Sequence, residues 1–138
     1  MAYTVEKVDV WKVFVPDSPG SLAMMLESLK AAGVNLEFLF ARQHDAKRAI
    51  AFVAPVQGAA QVKAAKAAGF SKFEQAPSLR IEGADKPGIG RRIARILGDN
   101  GINIRGLSAM ALGKRALFYV ALPKADVAKA KRLLQQAL

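Results

Sequence analysis

The strongest constraint on the fold is an internal repeat in the sequence. When the chain is shifted by 68 residues without a gap, Asp-x-Pro-Gly at 17–20 falls on 85–88, and Gly-x-Asn at 33–35 falls on 101–103. A fixed period of this kind indicates one structural unit used more than once. The chain is therefore predicted to contain the same module twice. The shift also superposes Leu29 on Leu97, Ile50 on Phe118, Phe52 on Val120 and Pro55 on Pro123.

Each copy carries the same order of secondary-structure signals. Residues 8–15, VDVWKVFV, have the pattern of a strand, and residues 19–32 place apolar side chains on one helical stripe that stops at Gly33. Two apolar runs separated by a short polar stretch then predict a hairpin. A second helix follows Pro55 in the first copy and Pro123 in the second, because proline suits a first helical turn.

The closing strand of each module is predicted to come from a different part of the chain. Residues 70–75, FSKFEQ, can close the first module, and the shift of 68 places residues 2–7, AYTVEK, on this segment. We therefore predict one long strand over residues 2–15, whose start completes the second module and whose end serves the first. The fold class is α+β, with two interlocked ferredoxin-like βαββαβ modules, antiparallel sheets and helices on one face. The module boundaries are 1–69 and 70–138, with residues 2–7 paired to the second.

The hairpin runs RAIAFVAP and RALFYVALP are apolar at almost every position. A sheet with one wet face should alternate between apolar and polar residues instead. Because the helices cover one face of each sheet, the other face is predicted to be covered by a second copy of the chain. A homodimer or a larger assembly is expected.

Composition removes several classes of function. The chain is 52% apolar and 23% charged, and it contains no cysteine and one histidine. Disulfides and thiolate chemistry are therefore excluded, and neither a metal nor a cofactor is expected. No apolar stretch reaches the roughly 18 residues of a membrane span, and the N-terminus lacks the layout of a signal peptide. A cytoplasmic protein without a membrane partner is predicted.

The net charge of +10 is unevenly distributed along the chain. Residues 1–69 carry eight Lys and Arg against six Asp and Glu, whereas residues 70–138 carry thirteen against five, so the halves are +2 and +8. A basic half can attract nucleic acid, an acidic partner or an anionic ligand, or it can serve only as a solvated surface.

The repeated Asp-x-Pro-Gly turn has two interpretations. It can be a well-made helix start, with Asp17 and Asp85 as the capping side chains, because Lys86 replaces Ser18 and cannot cap. It can also be a carboxylate or phosphate site, since the unpaired N–H groups of a helix N-terminus point outward. The repeated Asn35 and Asn103 either tie down their own loops or bond something else, because Asn is depleted in strands.

These motifs carry a resemblance to a known family. The order strand, Asp-x-Pro-Gly, helix, Gly-[Val/Ile]-Asn-[Leu/Ile], strand, hairpin, helix, strand resembles the ACT domain, a small ferredoxin-like module that senses amino acids. The resemblance covers both halves of the chain and implies a non-enzymatic regulatory protein with a ligand between two modules. The ligand would be an amino acid or a similar small metabolite, and the first copy, which has Leu22 where the second has Gly90, is the more family-like.

The resemblance implies that loop N–H groups hold the ligand's carboxylate, while the asparagine and aspartate side chains meet its ammonium. The residues implied in the first copy are Asp17, Ser18, Gly20, Ser21, Leu22, Asn35 and Leu36. Those implied in the second copy are Asp85, Gly88, Ile89, Gly90, Asn103 and Ile104.

Other side chains point to no further chemistry. His44 is alone in a predicted hairpin loop, Trp11 is predicted to be core, and the arginines at 91, 92 and 95 lie opposite the apolar stripe of their helix, as on a solvated face. No nucleophile, base and orienting group recur in the pattern of a catalytic site.

The alternative function is RNA binding, because RRM domains share the βαββαβ order and the chain is basic. The match to their central strand is partial, since Ala49 and Ala116 stand where glycine is expected, and Ile50 and Leu117 stand where an aromatic is expected. Asp-x-Pro-Gly and Gly-x-Asn also have no role in that reading, so a nucleic-acid partner is not expected.

Overall fold

The computed structural model describes residues 3–138, which form two compact units. The central unit is residues 9–73, and the split unit combines the segment ending at Val8 with residues 74–138. Each has a four-stranded antiparallel sheet and two helices, which confirms the predicted α+β fold. The strands are β1 (Thr4–Val8), β2 (Trp11–Pro16), β3 (Phe38–Gln43), β4 (Arg48–Ala54), β5 (Ser71–Lys72), β6 (Ser78–Ala84), β7 (Gly106–Leu112) and β8 (Arg115–Ala121). The helices are α1 (Ser21–Ala31), α2 (Gly58–Ala67), α3 (Ile89–Asp99) and α4 (Val127–Ala137), with a short 3₁₀ turn at Lys124–Asp126.

The central unit has the strand order β3-β4-β2-β5. Trp11, Val13 and Val15 alternate along β2 and are buried, so one face of the sheet forms the core. Leu29 of α1 and Ala65 of α2 belong to the same buried cluster, which places the helices on that face. Trp11 is therefore a core residue, as the sequence predicted.

The split unit has the strand order β1-β6-β8-β7. Val5 of β1 lies opposite Ile81 of β6, and both are buried in one cluster with Ile93 and Leu97 of α3 and Leu134 of α4. The N-terminal strand thus completes the second module, as predicted.

The structure corrects the prediction of one long strand over residues 2–15. β1 and β2 are separate strands, since Asp9 and Val10 lie outside both and each strand belongs to a different sheet. Residue 2 lies outside the described part of the chain. The closing strand predicted at 70–75 is present but short, since only Ser71 and Lys72 pair with β2.

The strands after α1 and α3 begin later than predicted, at Phe38 and Gly106 rather than directly after the glycine that ends each helix. The Val34 N–H donates to the Leu29 carbonyl, and the Ile102 N–H donates to the Leu97 carbonyl. These bonds, with glycine at positive φ before them, are the Schellman ending of a helix. They occupy backbone groups that a strand would otherwise use, so both asparagines lie in loops.

The structural correspondence between the two units departs by one residue from the ungapped shift of 68 once the chain has passed the hairpin turn. Ala51 lies opposite Val13 in the central unit, whereas Phe118 lies opposite Ile81 in the split unit, so Phe118 is the counterpart of Ala51 rather than of Ile50. The split unit has a shorter connection, Gly113 and Lys114, where residues 44–47 join β3 and β4. A slip of one residue exchanges the two faces of a strand.

Candidate functional site

Helices α1 and α3 both begin at a glycine in the left-handed conformation. Gly20 and Gly88 are the N-cap residues, each with φ near 84°, and neither helix has a side-chain cap. The prediction that Asp17 and Asp85 cap these helices is therefore wrong, because a glycine three residues further along occupies the N-cap position. The Asp17 carboxylate instead accepts a hydrogen bond from Gln43 Nε2 at 2.8 Å.

The glycine turns leave backbone donors free at the helix starts. The Ser21 N–H donates to the Ser18 carbonyl at 3.3 Å, and the Met24 N–H donates to the Gly20 carbonyl at 3.1 Å. Between them, the N–H groups of Leu22 and Ala23 have no acceptor within residues 3–138. The split unit repeats this pattern at Gly90 and Arg91. Each turn therefore presents two adjacent donors at the positive end of a helix, an arrangement that suits a carboxylate.

Substitution of Gly20 tests the left-handed turn. A Cβ built on Gly20 meets no heavy atom within 4 Å, so the penalty of Gly20→Ala is that of the backbone alone. We expect Gly20→Ala to destabilise the fold by about 1–2 kcal/mol in urea unfolding. Gly98 of α3 is the matched control, because it has equal space but lies within a helix. Gly98→Ala should stabilise by about 0.5–1 kcal/mol, and equal effects of the two changes would contradict the assignment.

Asn35 and Asn103 are exposed in both loops. Neither side chain forms a hydrogen bond with any residue the structure describes, so the loop-tying role considered for them has no support. The following residues, Leu36 and Ile104, are partly buried and pack against the core of their own unit. Each asparagine is thus held in place by an apolar neighbour while its amide group is left free.

A single unit does not bring its asparagine to its glycine turn. Gly20 precedes α1 and Asn35 follows it, and an 11-residue helix is about 16 Å long at 1.5 Å per residue. The same separation holds for Gly88 and Asn103 across α3. The turn and the asparagine of one unit therefore cannot contact the same small ligand.

The two turns differ in chemistry. In the central unit, the Ser18 and Ser21 hydroxyl oxygens are hydrogen-bonded at 2.8 Å. The split unit has Lys86 and Ile89 at these positions, and the Ile89 side chain is buried, so only its backbone faces the turn. A Cβ on Gly90 would lie 3.6 Å from the Phe118 ring, so even a methyl group there would touch the core. Asp85 also lacks the glutamine partner that Asp17 has, since no hydrogen bond to its carboxylate exists among the described residues.

A second polar cluster lies on the opposite face of the split unit's sheet. Glu82 accepts hydrogen bonds from Arg80 at 2.8 Å and from Arg115 at 3.0 Å, and Arg80 also bonds the Tyr119 hydroxyl. The bond from Arg80, followed by that from Arg115, lowers the pKa of the Glu82 carboxyl. In this cluster one carboxylate is shared by two guanidinium groups.

His44 lies in the hairpin loop, as predicted. Its ring meets the Phe14 ring edge-on, and the two ring centroids are 4.9 Å apart. Within residues 3–138, no three His, Asp or Glu side chains are grouped as a metal site. In the same range, no helix has the length and apolar character needed to cross a membrane.

The glycine turn at Gly88 and the Schellman ending after α3 lie in a segment that matches a known family. Residues 78–138 match the family model of the ACT domain. The matched segment begins with β6 and contains the turn at Gly88 and the loop at Asn103. The central unit has the same fold and the same two motifs. No curated protein sequence matches the chain.

Solved structures resemble the whole chain, including the part outside the ACT domain match. Protein BT0572 from Bacteroides thetaiotaomicron aligns with a TM-score of 0.81 and 18% identity, over 96% of this chain and 89% of that one. The regulatory subunit of aspartate kinase from Thermus thermophilus, in its ligand-free form, aligns at 0.70 and 16% identity, over 100% and 97%. E. coli aspartokinase III in complex with lysine and aspartate aligns at 0.57 and 14% identity, over 100% of this chain and 33% of that one. At these identities the likeness shows the fold.

Proposed function

We propose that this protein is a non-enzymatic, cytoplasmic regulator that binds an amino acid or a similar small metabolite between ACT modules. The central unit would be the second ACT module, which makes the chain a tandem pair. The observation that carries the proposal is the repeated pair of free N–H groups behind a left-handed glycine, at Gly20 and again at Gly88. Two such donors match the two oxygens of a carboxylate.

The exposed asparagines support the same proposal. An amide oxygen with no protein partner can accept from an ammonium group, and Asn35 and Asn103 each offer one. Because the turn and the asparagine of one unit lie at opposite ends of a helix, the carboxylate and ammonium of one ligand would bridge two modules. Binding would then change how the modules associate, which is a regulatory rather than a catalytic output. The resemblance to an aspartate kinase regulatory subunit and to a lysine-bound aspartokinase agrees with this role.

We also propose that the chain forms a homodimer or a larger assembly, as the apolar hairpin strands predict. The structure supports this with large apolar side chains that remain exposed on the strands. Phe14 and Phe40 in the central unit are 38% and 40% exposed, and Met110 and Leu112 on the edge strand β7 are 64% and 81% exposed. Apolar residues on a sheet face or an unpaired edge favour association. Light scattering at micromolar concentration should give at least twice the chain mass, and a monomer would contradict the proposal.

A ligand screen tests the binding site. Each proteinogenic amino acid is added singly to the full chain, and the melting temperature is measured. A ligand at about a hundred times its Kd should stabilise the fold by about 2.7 kcal/mol. Asn35→Ala and Asn103→Ala each remove one bond to a charged group, so calorimetry should show roughly tenfold weaker binding at the site each asparagine serves.

Gln136→Ala is the matched control, because Gln136 is an exposed amide on α4 and belongs to neither asparagine loop. It should leave the Kd unchanged. Failure of every amino acid to raise the melting temperature would overturn the proposed ligand class, and equal losses in all three variants would overturn the proposed site.

A further inference from the structure

The excess of positive charge in this protein is concentrated on one helix layer. Helix α3 and the segment from Lys124 to the end of α4 contain seven Lys and Arg against two Asp. The corresponding helices of the central unit, α1 and α2, contain three Lys against one Glu. Since both layers cover the same kind of sheet, the fold itself does not require the extra charge. The basic side chains of this layer, called the basic layer below, are Arg91, Arg92, Arg95, Lys124, Lys129, Lys131 and Arg132.

The two helices of the basic layer lie side by side and antiparallel. The Arg92 guanidinium donates to the Ala137 carbonyl at the end of α4, and Lys129 Nζ donates to the Asn100 carbonyl, at 3.4 Å, just after the end of α3. The apolar residues of both helices are buried against the sheet, so the charged residues face away from it.

Little of this charge is neutralised within the layer. Among residues 3–138, its one ion pair joins Arg95 to Asp99 at 3.6 Å, and both side chains are more than half exposed. Arg91 and Arg132 have no hydrogen bond or ion pair in the described part of the chain. The layer therefore presents several cations that a polyanion could contact.

We propose that the basic layer binds the phosphate backbone of double-stranded nucleic acid without reading its sequence, a partner that the sequence motifs alone did not lead us to expect. A protein partner would need an apolar anchor at the centre of the contact, and α3 and α4 carry no large exposed apolar side chain among the described residues. A single strand would need free aromatic rings for stacking, and neither helix contains an aromatic residue.

The dimensions of the layer suit a duplex. Each helix has 11 residues and is about 16 Å long. A DNA duplex carries one charge per roughly 1.7 Å of its axis, so one helix length spans about nine phosphate charges. Contacts made by exposed Lys and Arg alone would position a duplex without discriminating its bases.

The test is the salt dependence of duplex binding by the full chain. Fluorescence anisotropy with a labelled mixed-sequence DNA duplex of about 20 base pairs gives Kd over a range of salt concentrations. The slope of the logarithm of the binding constant against the logarithm of the salt concentration reports how many phosphates are neutralised. The double variant Arg91→Glu with Arg132→Glu should weaken binding at least roughly tenfold and reduce the salt slope by about two. Both residues are exposed, and a glutamate in the first turn of α3 suits the helix dipole.

The matched control is Lys63→Glu with Lys66→Glu on α2, which changes the net charge by the same amount on the other helix layer. It should leave Kd and slope close to those of the unaltered chain. Equal weakening by the two double variants would show that net charge alone attracts the duplex, and it would overturn the proposed surface. Three other outcomes would also overturn the proposed surface. They are tighter binding to a single strand of the same sequence, displacement of the duplex by polyglutamate at equal charge concentration, and no binding at near-physiological salt. Circular dichroism of both variants should match that of the unaltered chain, which checks that they are folded.

Discussion

Val5→Asp should unfold the split unit or leave it barely folded. Val5 is 3% exposed, lies opposite Ile81 and belongs to the buried cluster of this unit. An uncompensated charge at such a position costs about 3–5 kcal/mol, a large part of the 5–15 kcal/mol that typically holds a domain together. Amide hydrogen exchange should show loss of protection in β6 and β8, and urea unfolding should show the lower free energy.

The control for this change is Glu6→Ala, one residue further along the same strand. Glu6 is exposed, so its removal should alter the free energy of unfolding by less than about 0.5 kcal/mol. Retained protection in residues 78–84 of the Val5→Asp chain would show that β1 is dispensable for this sheet.

Leu97→Ala and Leu29→Ala should each cost about 2–5 kcal/mol, because both leave a cavity in a closed core. The two leucines are equivalent in the repeat and are 0% and 1% exposed. They belong to separate buried clusters, so each change should act first on its own unit. Hydrogen exchange should accelerate in β6 and β8 after Leu97→Ala and in β2 and β4 after Leu29→Ala. A cost below about 1 kcal/mol at either position would contradict its place in the core.

Much of the fold could be predicted from the sequence, because the repeat gives two independent sequences for each helix and strand. The glycine that ends each first helix, the hairpin and the transfer of β1 to the second module all follow from the period. A single copy would not have shown that transfer, since nothing in Thr4–Val8 alone points to a partner near residue 80.

The wrong predictions have physical causes that an ungapped sequence shift does not detect. An ungapped shift cannot detect that the connection at Gly113 and Lys114 is shorter, so it paired Ile50 with the core residue Phe118. Capping by Asp17 was a reasonable expectation from residue preference, but the left-handed Gly20 defines the helix start instead. The proposed site is less predictable still, because Gly20 and Asn35 lie at opposite ends of the same helix.

The pairing of β1 also bears on the order in which the protein folds. Residues 4–8 leave the ribosome before the central unit, but their partner strand is made afterwards, and 78 residues separate Thr4 from Glu82. Closing so long a loop in an unfolded chain is slow. The central unit shortens it, because Trp11 lies opposite Lys72 and the Phe73 N–H donates to the Val10 carbonyl at 2.8 Å. Once these contacts form, the two ends of the central unit are adjacent. Folding of the central unit therefore shortens the loop that must close before β1, which is synthesised early, can pair with β6, which is synthesised late.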